Sequence, residues 1–311
     1  MLLASGKLIL RHDAYTEGHD FERHIAVIDM SWHGHLNLDY RLDGERTIAL
    51  DRHDGPLRVL QRLYPEGNRV CHHVLVHPPG GLVGGDVLAI AMNLQAGSHA
   101  LITTPGATRF YKSTGADAVQ TLVAKVADGA RLEWLPLETL AYRACKATNR
   151  MRFELAPGAE MMGWDVLALG LPAAAEPFDD AALGRNGHFT QEIELPGVWL
   201  ERGTVRADDA RLLDSPLGWA GHRVMATMWL ATGTPMSRER REALLDATRQ
   251  IQGEHPLAHT AGSTSPHEQV VVLRVLAQRV EPAMNLLTQV WAQWRQTAWH
   301  LTPCPPRVWK T

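Results

Sequence analysis

Hydrophobic residues fall at alternate positions through much of the first two thirds of the chain. Leu36, Leu38, Tyr40 and Leu42 alternate with polar residues, Leu88, Ile90, Met92 and Leu94 do the same, and Val119, Thr121 and Val123 follow suit. A period of two puts such residues on one face of a β-strand. Phe189, Gln191, Ile193 and Leu195 continue the pattern, and Val198 to Glu201 reads as a further strand. The period then changes. Ser237 to Gln252 (SRERREALLDATRQIQ) is rich in good helix formers, with Leu244, Leu245 and Ile251 as its apolar positions. Glu281 to Trp299 spaces Met284, Leu287, Val290, Trp291, Trp294 and Ala298 by three and four residues, with Pro282 in the first turn. Between the two lies a buried-strand run, Val270 to Leu276. The pattern predicts a mainly β protein with two α-helices in the C-terminal third, near 237–252 and 281–299, as one domain over 30–311. Residues 1–29, rich in charge and histidine without a sustained period, read as a loosely ordered extension.

A repeat lies within the strand region. Ala96-Gly97-Ser98, Asp128-Gly129-Ala130 and Pro157-Gly158-Ala159 each separate two strand-like runs, and their glycines are 32 and then 29 residues apart. Glycine supplies the positive φ that a tight turn demands. A spacing near thirty residues fits stacked β units that share a buried face. It also fits the ordinary hairpins of a sandwich, whose turns reuse the same chemistry.

Composition narrows the function more than the fold. The 311 residues are 45% hydrophobic and carry a formal net charge of -3, which is ordinary globular material. No Lys/Arg stripe points to nucleic acid. Cys71, Cys145 and Cys304 are far apart and form no Cys-x-x-Cys pair, so neither a zinc site nor a disulfide framework is indicated and a reducing compartment is expected. No apolar run is long enough to span a bilayer. The opening MLLASGKLILRHD makes a poor signal peptide, so a cytoplasmic location is expected.

The densest motif is HPPGGLVGGD, His77 to Asp86. Gly80-x-x-x-x-Gly85 copies the start of a P-loop, but Asp86 and Val87 stand where the motif needs Lys and a hydroxyl. A carboxylate there repels phosphate. Pro78 and Pro79 stiffen the approach, and Gly80, Gly81, Gly84 and Gly85 let the backbone fold tightly, which predicts a rigid loop that delivers Asp86 to the start of a strand.

Catalytic signatures are absent: no Gly-x-Ser-x-Gly, His-Glu-x-x-His or dinucleotide fingerprint occurs. A hydrolase built on a histidine-carboxylate pair finds no nucleophile motif to support it. Sixteen histidines raise the question of metal. Cys71, His73 and His77 share one face of a strand and so have the parity to converge, while Cys71-His72-His73 and His33-Gly34-His35 read equally well as polar residues on a solvated face. Acids within apolar strands are more telling. Asp165, Glu133 and Glu201 each sit beside tryptophan or leucine, where a carboxylate is costly unless paired or bound to a cation. They fit a wet internal passage for a divalent ion, or edge positions and ion pairs with neighbours such as Arg202. The segment TTPGATRFYKS offers Arg109 and Lys112 to a partner or forms a plain connection. Ten tryptophans lead to the expectation that some are exposed at partner surfaces.

Taken in order, HPPGGLVGGD, TTPGATRFYKS, LEWLPLET, GWDVLALGLP, VWLERG and PPRVW resemble the UreD-type (UreH-type) urease accessory proteins from about Trp32 to the C-terminus. The resemblance implies a nonenzymatic scaffold with a largely β, elongated stack of β-hairpins of β-helix-like character, plus two helices. It implies binding to the urease apoprotein and to UreF, which recruits the GTPase UreG, and a part in GTP-dependent nickel insertion, with a possible dimer in the complex and no membrane partner. It implies an internal channel in which Asp86, Thr108, Asp165 and Glu201 pass nickel transiently, with no tightly bound cofactor. A docking platform without a metal role is the alternative. The segment Ala141 to Lys146 departs from the family pattern by carrying Cys145 and added cations, and Leu171 stands where relatives often have Arg.

Overall fold

Each glycine turn of the repeat is a corner between two sheets. The computed structural model describes residues 31–310 together with Lys7–Leu8 (β1) and Ile28–Asp29 (β2), which pair antiparallel. The rest of the predicted N-terminal extension lies outside the described residues. One sheet is built from β3 (His33–Asp43), β4 (Arg46–Asp54), β7 (Val87–Leu94), β10 (Ala118–Val126), β13 (Lys146–Leu155), β15 (His188–Leu195) and β16 (Trp199–Arg206). Its spatial order is β16-β15-β13-β10-β7-β3-β4. The other contains β5 (Arg58–Leu63), β6 (Val70–Val76), β8 (His99–Thr103), β9 (Thr108–Phe110), β11 (Arg131–Trp134), β12 (Thr139–Ala141), β14 (Glu160–Leu169), β17 (Val224–Thr232), β18 (Ala261–His267) and β19 (Val270–Ala277). It runs β18-β19-β17-β14-β11-β8-β6-β5, with β12 joining β9 to the end of β14.

The chain alternates between the sheets, so β7, β10 and β13 stack in parallel in one, and β8, β11 and β14 stack in parallel in the other. The pairing offset equals the turn spacing: Leu88 lies beside Gln120, 32 residues on, and Gln120 beside Asn149, 29 residues on. The corners themselves are linked, Gly97 N–H donating to Asp128 O at 3.1 Å and Gly129 N–H to Gly158 O at 3.3 Å, with all three glycines at positive φ. These are about three turns of a β-solenoid, closed by antiparallel strands at each end. Of the two readings the spacing allowed, stacked β units are what forms.

Two cores result. Leu36, Leu88, Leu122, Phe153, Phe189 and Trp229 fill the space between the sheets. The second core covers the outer face of the ten-stranded sheet, where α2 (Arg238–Glu254) and α3 (Val280–Trp299) pack Leu244, Leu287, Trp291 and Trp294 onto Trp164, Met228 and Leu273. The two predicted helices are present within a residue or two at each end; a short α1 (Ala210–Asp214) precedes them. Ser237 caps α2 by accepting from Arg240 N–H, and α3 ends at His300 in the left-handed region.

A buried ionic cluster fastens α3 to the sheet. Arg295 on α3 has no solvent exposure, and its guanidinium lies 2.7 Å from Glu66 and 3.4 Å from Glu133, which is equally buried. Glu133 also accepts from the Trp291 indole at 2.6 Å and meets His99 Nε2 at 2.8 Å. His72 Nε2 meets Glu66 at 2.6 Å. Burial pushes the pKa of His99 down, against the pull of Glu133. Charges taken out of water are tolerable only with this degree of pairing.

Two expectations need correction. In β10 the inward residues are Ala118, Leu122, Ala124 and Val126, whereas Val123 is exposed. The alternation Val119, Thr121, Val123 marks the outer face, because β-branched residues suit either side of a strand. The tryptophans go inward: Trp134, Trp164, Trp219, Trp229, Trp291, Trp294 and Trp299 are buried, and among large exposed apolar side chains Trp32, at 47%, is the one tryptophan. A chain with two cores has room to bury them.

The glycine-proline loop is held by close approach. A Cβ on Gly84 would lie 2.0 Å from Ser113 Oγ and 2.5 Å from the Ala116 carbonyl oxygen, while one on Gly106 would meet nothing within 4 Å. Gly84→Ala is therefore expected to cost about 1–3 kcal/mol of stability, with Gly106→Ala near neutral, as measured by denaturant unfolding.

Candidate functional site

The solenoid interior opens beside the glycine-proline loop into a cavity of about 230 Å³. Its walls come from three places. The loop contributes His77, Gly80 and Gly81; the segment after β8 contributes Thr104 to Arg109; and the sheets contribute Gln120, Trp134, Asn149 and Asp165. The loop is pinned to the next corner: Leu82 N–H donates to Arg109 O at 2.7 Å, and Tyr111 N–H donates to Leu82 O at 2.8 Å. Gly81 allows this approach, since a Cβ there would lie 2.8 Å from Arg109 O.

Asp165 is the chemical centre. Strand alternation sends Trp164 and Val166 toward the helices and Asp165 between the sheets, where it is 7% exposed. Burial first, and then the negative charge of Glu201, push its carboxyl up to about 7. Gln191 lies beside it and pulls the value down, although neither amide atom of Gln191 makes a hydrogen bond of ordinary geometry among the described residues. Both ring nitrogens of His77 and the Trp134 indole nitrogen likewise lack partners there. Burial lowers the His77 pKa, opposed by Asp86, so a neutral imidazole is favoured at the cavity wall.

The polar surface continues inward from the cavity. Thr227 on β17 pairs with Asp165 on one side and Arg274 of β19 on the other. Its hydroxyl donates to Glu201 at 3.2 Å, and Glu201 also accepts from Arg274 Nε at 2.9 Å. Thr108, Asp165 and Glu201 thus lie along one seam, from the loop side of the stack to its β16 edge. Glu201 is ion-paired there with Arg274, and Arg202 is taken by Glu192.

Asp86 is placed differently. It is 2% exposed, and its two oxygens accept from Trp32 N–H at 2.8 Å and Val83 N–H at 2.9 Å, fastening the loop to the chain before β3. It does not line the cavity. Cys71 and His73 share the inner face of β6, but His73 bonds Tyr40 Oη at 2.8 Å while His77 lies at the cavity. Among the described residues no three His, Cys, Asp or Glu side chains gather into a metal-binding group. Burial holds His73 down to about 4 and Cys71 up to about 11. Glu133 is on the helix side of its sheet, outside the seam. Arg109 lines the cavity and Lys112 is exposed.

The sequence reading missed Gln120, Asn149, Thr227 and Arg274. The 32- and 29-residue turn spacing held the signal for two of them, since the same offsets carry Leu88 to Gln120 and on to Asn149. Thr227 and Arg274 come from antiparallel strands outside the repeat, so that spacing could not reach them.

The family model described as UreD urease accessory protein matches residues 33–310. A protein of Leptothrix cholodnii named urease accessory protein UreD is 61% identical over 284 residues, covering 91% of this chain and 100% of its own length. Proteins of the same name from Paracidovorax citrulli and Variovorax paradoxus are 59% and 57% identical, the first covering 90% of this chain and 99% of itself, the second 91% and 100%. No helix among the described residues is long and apolar enough to cross a membrane.

Two outcomes follow from the carboxyl groups. An acid whose folded pKa exceeds its unfolded value of ~3.9 takes up a proton on folding, so its cost to stability grows as pH rises through that interval and is complete above about 7. Three pH units at ~1.4 kcal/mol each amount to on the order of 4 kcal/mol. Asp165→Asn is expected to raise the melting temperature at pH 8 and to do so far less at pH 5, as read by thermal unfolding. Asp86→Ala strands two backbone donors and should lower stability by about 2 kcal/mol or more in denaturant titration at any pH near neutral.

Proposed function

We propose that this chain, which belongs to the UreD family of urease accessory proteins, acts in urease maturation as a nonenzymatic scaffold that passes nickel through its interior. In this reading it binds the urease apoprotein and UreF, with UreG recruited through UreF, and nickel delivered with GTP hydrolysis enters the solenoid and leaves toward urease. The observation that carries the reading is the seam of Thr108, Asp165, Thr227 and Glu201 inside an otherwise apolar stack. A buried carboxyl in that setting raises the cost of folding, and a cargo cation that needs an anionic waypoint accounts for keeping it. Asp165 stands at a pKa where it can release its proton as a cation arrives and take it back afterwards. Weak, separated waypoints suit transfer, because a strong site would hold the ion.

Two placements favour the second reading, a docking platform without a metal role. Glu201 is neutralised by Arg274, and both oxygens of Asp86 are occupied by backbone donors. The readings separate cleanly. Asp165→Ala and Glu201→Ala, each expressed with the urease genes, are expected to lower urease activity in cells at least tenfold while the variants still co-purify with UreF and apo-urease. Full activation by both would leave docking alone, and loss of co-purification would assign the defect to assembly.

A further inference from the structure

Three carboxamides stand in line inside the seven-stranded sheet. Gln120 on β10 is the register partner of Asn149 on β13, and Asn149 is the register partner of Gln191 on β15. Because the strands are parallel and adjacent, the three side chains succeed one another at the inter-strand spacing of ~4.8 Å along the axis of the stack. The Gln120 amide donates to Asn149 Oδ1 at 3.2 Å. Gln120 and Asn149 line the cavity with Asp165, and Gln191 continues the row toward β16, which carries Glu201.

Packing alone does not account for this row. The neighbouring inward rows of the same strands are apolar: Leu122, Met151 and Ile193 on one side, Ala118, Ala147 and Phe189 on the other. Gln191 is 8% exposed, yet its amide nitrogen and oxygen have no partner among the described residues. His77 and Trp134 present further unpartnered nitrogens to the same cavity. Buried polar groups that find no protein partner are met by water or by a ligand.

We infer that the Gln120–Asn149–Gln191 ladder is a binding track for a divalent cation travelling with its water shell. The inference rests on the conduit reading above and specifies the form of the cargo. Small divalent ions surrender water reluctantly. At ~30 Å³ per water, a six-water shell needs about 180 Å³, and the cavity offers about 230 Å³. Metal-bound waters are strong hydrogen-bond donors, and a carboxamide oxygen accepts from them. Being neutral, the ladder binds the hydrated ion without the deep well that three carboxylates would make. A bare ion would instead need converging anionic or imidazole ligands, and among the described residues no such group of three exists.

The test uses the full chain co-expressed with apo-urease in nickel-supplemented cells, with nickel per purified urease measured by metal analysis and the accessory protein's melting temperature measured separately. Gln120→Leu/Asn149→Leu/Gln191→Leu, which dries the row, is expected to cut nickel per urease at least fivefold with an unchanged or higher melting temperature. The corresponding triple serine variant keeps the row wet and should load nickel within twofold of the native protein. Gln191→Leu alone, expected to cut loading at least twofold, serves if the triple leucine variant fails to fold. Native loading by the leucine variants while Asp165→Ala fails to load overturns the ladder and leaves the conduit standing. Native loading by the leucine variants and Asp165→Ala alike removes the conduit and the ladder with it. Equal loss in the leucine and serine variants overturns carriage through water, because direct amide contact would then be required.

Discussion

The parallel, in-register stacking of successive coils is the constraint on which the other features depend. Once Gly97, Gly129 and Gly158 turn the same corner, every residue between them is assigned a neighbour 32 or 29 positions away. A hydrophobic position becomes an apolar row, and a polar one becomes a polar row. The seam of Asp165, Thr227 and Glu201 and the row of Gln120, Asn149 and Gln191 are thus products of the same rule that builds the core. A solenoid gains stability by nearest-neighbour stacking of its coils, so each polar row is held by the apolar rows above and below it.

Polarity inside the protein is handled in two contrasting ways. On the helix side of the ten-stranded sheet, Glu133, Glu66 and Arg295 are saturated with partners, and histidine and tryptophan complete the set. That cluster is structural, since every charge in it is met and α3 is fixed as a result. Between the sheets, by contrast, Gln191, His77 and Trp134 keep unmatched polar atoms. Satisfied buried networks rigidify, whereas unsatisfied ones mark places that await water or a ligand. The difference separates the scaffold from the route through it.

Much of the architecture was legible in the residues. Period-two alternation located β3, β7 and β15, helical spacing located α2 and α3, and the glycine spacing announced the stacking. β10 shows where such reading fails. Its valines and threonine marked a strand correctly but pointed to the wrong face, because β-branched residues favour strands whichever way they project. The site was legible in part. Asp165 stood out as an acid among hydrophobic residues, yet so did Glu133, and nothing local distinguishes a carboxylate that faces the interior seam from one that faces a helix. Asp86 stood out by its motif, and its motif turned out to describe a backbone staple.

By itself the sequence determined the class of fold, the corners of the stack, the two helices and the family to which the chain belongs, because these follow from local periodicity, turn chemistry and long motifs. Tertiary structure alone decided which carboxyl groups share an environment. Thr227 and Arg274 reach Asp165 and Glu201 only through antiparallel strands that follow the repeat. The elevated pKa of Asp165 arises from burial and from a carboxylate 36 residues away in sequence (201 − 165), a proximity that depends on how the two sheets face each other. Chain order carries no record of that distance, and the electrostatics depend on little else.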